Sequence, residues 1–197
     1  MRGDDANHRT GALASERGAK TRSRFSACGF ELGAADGYRI GMSLPPLESL
    51  PRRLADLVRY WQGLRGDNAD MPQWAQFDIC DVAKALANIY LIAVEPEPLR
   101  FQFRLLGEAV LDAGAPGRRG LYIDELPRTE TEASLHDKLA EAVRQRVPNW
   151  YRGPPTLKHH KFVNELEGVM LPFAAADGRI ERILCMTLYR WQDGHET

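Results

Sequence analysis

The chain has 197 residues, a hydrophobic share of 44% and a formal net charge of -1. That is enough apolar material for one ordinary core, and so even a charge balance offers no footprint for nucleic acid or an anionic membrane. No apolar run reaches the roughly 18 to 20 residues of a membrane span, no signal-peptide pattern opens the chain, and Cys28, Cys80 and Cys185 are spaced as neither a disulfide framework nor a zinc site, so a soluble cytoplasmic protein is expected.

Residues 1–43 are rich in glycine and alanine, carry a small excess of basic residues, and lack a sustained apolar period. Such a segment cannot bury enough surface to fold alone. It reads as a disordered tail, or as a mis-assigned start with translation beginning at Met42. From Leu47 to Leu64 the residues Leu47, Leu50, Leu54, Leu57, Val58, Trp61 and Leu64 recur at three- and four-residue steps, with Arg52, Arg53, Asp56 and Arg59 opposite. This predicts an amphipathic helix, with Pro51 tolerable only near its first turn. Residues 44–70 are taken as this flanking helix and 71–197 as the main domain.

A short helix is expected at Asp81 to Ala87, capped by Asp78 or Asp81. Asn88 to Val94 is apolar on both alternating faces, the mark of a strand covered on both sides. The turn Glu95-Pro96-Glu97-Pro98 leads into Leu99, Phe101, Phe103 and Leu105, alternating with Arg100, Gln102 and Arg104, so the two segments form a hairpin. At Gly107 the pattern changes to a first helical turn that stops by Gly114. Leu121 to Leu126 reads as another short turn. A longer helix follows, capped by Thr129 or Thr131, with a buried stripe of Leu135, Leu139, Ala142, Val143 and Val147 that Pro148 ends.

Three more strands are expected: Trp150 to Leu157, Phe162 to Ala174, and Arg179 to Trp191, the last two joined at Asp177-Gly178. The final strand sets Ile183, Cys185, Thr187, Tyr189 and Trp191 on one face and Leu184, Met186 and Leu188 on the other. Pro172 conflicts with its strand unless it meets a bulge or a free edge. The order predicts an α+β fold: a five-stranded antiparallel sheet with helices on one face and an N-terminal amphipathic helix. The first and last strands should be neighbours mid-sheet and the second an edge. The Leu47 to Leu64 helix, from this chain or a partner, is the candidate to cover the outer face.

Several pieces in this order resemble a PAS domain, and more closely the stand-alone bacterial PAS-like proteins: Val58-Arg59-Tyr60-Trp61 with Leu64-Arg65-Gly66, Phe103-Arg104-Leu105-Leu106-Gly107, Gly120 with Tyr122-Ile123-Asp124-Glu125-Leu126, and Leu171-Pro172-Phe173 with Asp177-Gly178-Arg179-Ile180. The resemblance covers about residues 54 to 191. It implies a sensory or interaction module with a pocket between sheet and helices that opens where the strand meets Gly107. Phe103, Leu105, Tyr122, Leu126, Leu139, Val143 and Met186 are the candidate lining. Haem-binding members place a histidine on the long helix, and His136 sits there, although its charged neighbours Asp137 and Lys138 favour a structural histidine. No cysteine lies in the flavin-binding context of that family. The ligand, whether haem, lipid or nucleotide, is left unnamed, as is any cofactor.

Outside that frame, Lys158-His159-His160-Lys161 is the most basic run and a conceivable anion site, but adjacent histidines on an extended strand face opposite ways and do not share a metal. Asp124 and Glu125 have no nucleophile or base at a catalytic spacing. The expectation is therefore a module without catalysis of its own. With six residues after Trp191, its signal is expected to leave through a homodimer or a signalling protein partner, with Leu50, Leu54, Leu57, Val58 and Trp61 as the interface.

Overall fold

The computed structural model describes residues 39–41, 44–65, 71–114, 117–126, 130–155 and 162–197, and its strands join in one antiparallel sheet. In chain order these are β1 (Arg39–Gly41), β2 (Ile89–Pro96), β3 (Leu99–Leu106), β4 (Asn149–Gly153), β5 (Val163–Ala174) and β6 (Ile180–Trp191), arranged β1-β4-β5-β6-β2-β3. The helices are α1 (Arg52–Leu64), α2 (Glu108–Asp112) and α3 (Glu130–Gln145). The five expected strands are present. The short β1 adds a sixth beside β4, within the segment read as a tail. Thr129, Gly66, Cys28 and the Lys158-to-Lys161 run lie outside the described residues.

The patterning explains the strand order. β2 and β6 are apolar on both faces and pair with each other mid-sheet, while β3 alternates and forms an edge. Asp177 ties the β5–β6 turn by accepting from the backbone N–H of Arg179 at 3.0 Å, and Gly178 supplies the left-handed φ of 83° that the turn needs. Pro172 stands in β5 opposite Ile183, but β4 ends where Asn149 meets Met170, so the side of Pro172 away from β6 has no strand partner. Its missing N–H is not needed there. Its carbonyl accepts from Trp61 Nε1 at 2.8 Å.

Pro51 stands just before α1 in extended backbone and Leu47–Ser49 forms a separate 3-10 turn, so the expected helix is shortened at its start. α1 lies on the outer face of the sheet. Leu54, Leu57, Val58 and Trp61 pack there with Val169, Leu171, Phe173, Leu184, Met186 and Leu188. This corrects the assignment of Leu50, Leu54, Leu57, Val58 and Trp61 as an interface: all five are buried within the chain, because the sheet's own apolar face takes up the helix. The segment Ile79–Asn88 is a 3-10 helix kinked at Val82, and Asp78 caps it by accepting from Cys80 N at 2.8 Å.

α3 covers the inner face, where Leu139 and Ala142 meet Tyr90, Ile92, Phe101, Phe103, Ile183 and Cys185. Two side chains expected here are on the other side. Between the pairs Leu91↔Leu105 and Ile92↔Phe103 the ladder slips by one residue and Arg104 is left unpaired, a bulge in β3. After the bulge the parity reverses, so Leu105 packs in the outer layer and Leu106 in the inner one. Met186 shares its face with Leu184 and Leu188 and likewise packs under α1.

Gly107 answers to packing. A Cβ there would stand 2.1 Å from the Leu86 carbonyl oxygen and 2.4 Å from that of Ala87. Its N–H donates to Ile89 O at 2.8 Å, which fixes the junction of β3 and α2 against the start of β2.

Candidate functional site

Alternation along three neighbouring strands sends a set of polar groups to the inner face. Tyr151 of β4 pairs with Gly168 of β5, and Gly168 pairs with Thr187 of β6. Because Gly168 has no side chain, the Tyr151 ring lies across it; a Cβ at that position would be 2.3 Å from the Tyr151 hydroxyl. The hydroxyl thereby reaches Thr187 Oγ1 at 2.5 Å and lies 3.4 Å from the hydroxyl of Tyr90. Tyr90 is paired across β2–β6 with Cys185. Burial pushes the Cys185 thiol and the Tyr90 phenol well above their ordinary ranges, so both stay neutral.

From the helical side comes Lys138, whose Nζ stands 5.6 Å from the centroid of the Tyr151 ring. Burial pulls its amine down to about 8. The inner layer thus holds three hydroxyls, a thiol and an amine within apolar surroundings. Such an arrangement can hydrogen-bond and offer positive charge to a small polar molecule. The thiol stays protonated, so it is no ready nucleophile.

At the rim, Arg100 forks onto Asp124 (2.9 and 3.0 Å), reaches Glu125 at 3.2 Å, and lies 3.7 Å over the Tyr122 ring. The Tyr122 hydroxyl donates to Glu95 at 2.5 Å. This exposed clasp holds the 3-10 turn Ile123–Glu125 to the β2–β3 hairpin, and Arg100 keeps the Asp124 carboxyl below its usual range.

Of the seven predicted lining residues and His136, Phe103, Leu126, Leu139 and Val143 come together in the inner layer. Leu105 and Met186 lie in the outer layer, and Tyr122 belongs to the rim clasp. His136 is half-exposed, with its ring edge-on to Phe101 at 5.1 Å and Asp137 3.7 Å from its Nδ1. The polar members Tyr90, Tyr151, Thr187, Cys185 and Lys138 were missed. For Lys138 a signal existed: it stands three residues after Leu135 and four before Ala142, a charge on the buried stripe of its own helix. Among the described residues no three His, Cys, Asp or Glu side chains gather as metal ligands.

An antiparallel sheet insulated by a helix on one side, with a longer helix closing a polar patch on the other, defines an α+β module. Residues 50–188 match the PAS domain family, and the chain belongs to that family. The match begins just before α1, so the helix is part of the family segment. PAS domains are generally sensory or regulatory modules. No curated protein and no solved structure matches the chain. Among the described residues no helix is long and apolar enough to cross a membrane.

Proposed function

We propose that this PAS domain is a cytoplasmic signalling module without catalysis of its own, whose state is set by a small molecule held against the inner face. Its output passes by contact with a signalling protein or a second copy of the chain. The observation that carries the reading is Lys138: an amine buried enough to be drawn down to about 8, placed over Tyr151 in a layer of hydroxyls. An anionic head group, carboxylate or phosphate, takes charge-assisted hydrogen bonds from an ammonium and further ones from hydroxyls such as those of Tyr90, Tyr151 and Thr187. The surface used for contact is then other than the buried stripe of α1.

Native mass spectrometry of freshly purified protein tests this reading. The expected result is added mass that is lost on denaturation and is absent from the Lys138→Met variant. Bare wild-type protein in dimeric form would support signalling by contact alone. Retained mass that is unchanged in Lys138→Met would overturn the placement of the ligand.

A further inference from the structure

A cleft of about 470 Å³ lies where α1, α2 and the turn after β6 meet the start of β2, and no residue of the inner polar patch lines it. Its floor is Asn88, 1% exposed. The Asn88 Nδ2 donates to the carbonyls of Thr187 (2.8 Å) and Thr197 (2.9 Å), and its Oδ1 accepts from Arg53 Nη2 at 2.5 Å. The guanidinium is therefore steered to the cleft floor by one edge. Its side chain is otherwise exposed and has donors to spare.

Facing it, Glu108 and Asp112 stand four residues apart on α2, on one side of the helix. Among the described residues neither carboxylate forms an ion pair and neither does Arg53, although all three line the same cleft. The third wall is a flat plate: the rings of Trp191 and His195 stack at 5.4 Å with 9° between their planes. His195 is engaged with Asp193 through its Nδ1. Two buried polar atoms without a partner, Trp191 Nε1 and Thr197 Oγ1, also belong to lining residues.

Opposite charges that share a cleft yet stay unpaired select by combination. A plain anion drawn to Arg53 meets two carboxylates, and a plain cation drawn to Glu108 and Asp112 meets the guanidinium. A molecule carrying both charges satisfies both walls. The volume is that of a small-molecule site, and the aromatic plate takes an apolar side chain. We propose that this cleft binds a small zwitterion of the amino-acid class, with its carboxylate at Arg53, its ammonium between Glu108 and Asp112, and its side chain against the Trp191–His195 plate.

Isothermal titration of the full chain with each common amino acid, and then with the amide and the des-amino acid of the best binder, tests the proposal. The zwitterion is expected to bind at least about tenfold tighter than either half-charged relative. The double variant Glu108→Gln, Asp112→Asn breaks no side-chain hydrogen bond or ion pair of the described fold, and it should weaken binding about tenfold or more, as should Arg53→Gln. Lys138→Met should leave this binding unchanged, which separates the cleft from the inner face. Absence of binding by every amino acid at about 10 mM would overturn the proposal. So would equal binding of a half-charged relative, or wild-type affinity in the double variant.

Discussion

The two faces of the sheet are made from alternate residues of the same strands, yet they differ in kind. Under α1 the layer is chiefly aliphatic and aromatic, with the Trp61 indole bound to the Pro172 carbonyl and, toward β4, the Trp150 indole bound to the Glu167 carboxylate. Under α3 the layer holds Tyr90, Tyr151, Thr187, Cys185 and the stem of Lys138. One side is mostly apolar, and the other mixes hydroxyls, a thiol and an amine into its apolar lining. The difference teaches that this chain can hold its fold from the outer face while the inner face carries groups that pure packing would not favour.

Four measurements would break or sharpen that contrast. Trp61→Ala should have the largest effect, about 3–5 kcal/mol lost in urea unfolding, since it empties a fully buried position and orphans the Pro172 carbonyl. A much smaller loss would mean that the outer face is not the main clamp. Lys138→Met should act in the opposite direction. The folded-state value for Lys138, about 8, lies below the ordinary 10.5, so between these pH values the unfolded chain binds the extra proton. Wild-type stability should therefore rise as pH climbs from about 8 to 10.5, by about 2–3 kcal/mol. The ligand-free variant should lose that slope and be more stable near neutral pH; an unchanged slope would show that Lys138 is not the group at work.

Gly168→Ala comes next, at about 1–3 kcal/mol in thermal unfolding, because the new methyl meets both the Tyr151 hydroxyl and the Met186 carbonyl. The near-ultraviolet signal of Tyr151 should change with it; a silent substitution would mean that the tyrosine does not lie across the glycine. The smallest effect is expected of Tyr151→Phe, about 1 kcal/mol, from the loss of the bond to Thr187. If that variant is as stable as wild type and still retains ligand mass, the hydroxyls are not part of recognition.

Much of the fold was legible in the residues. The two-sided apolar strands β2 and β6, the alternating edge β3, the Asp177-Gly178 hairpin and the amphipathic α1 follow from periods of 2 and 3.6 that need no knowledge of neighbours. The candidate site was legible only in its apolar half. Phe103, Leu126, Leu139 and Val143 are where alternation and helical spacing put them. Leu105 was misplaced by a single unpaired residue, Arg104, and nothing in its own identity announces the bulge. Lys138 was readable from its position on the helix stripe but hidden by its charge, which ordinarily marks a surface residue.

What the sequence by itself determined is therefore the set of elements, their apolar faces and the family to which residues 50–188 belong, because these depend on local spacing. Tertiary structure alone decided which face each layer covers, since α1 is amphipathic whether it meets its own sheet or a partner's. It also decided that Tyr151, Gly168 and Thr187, on three consecutive strands, stand in one row, and that Arg53 and Asp112 overlook one cleft. Such meetings are set by strand register and by the docking of helices, and those are fixed only when the whole core closes.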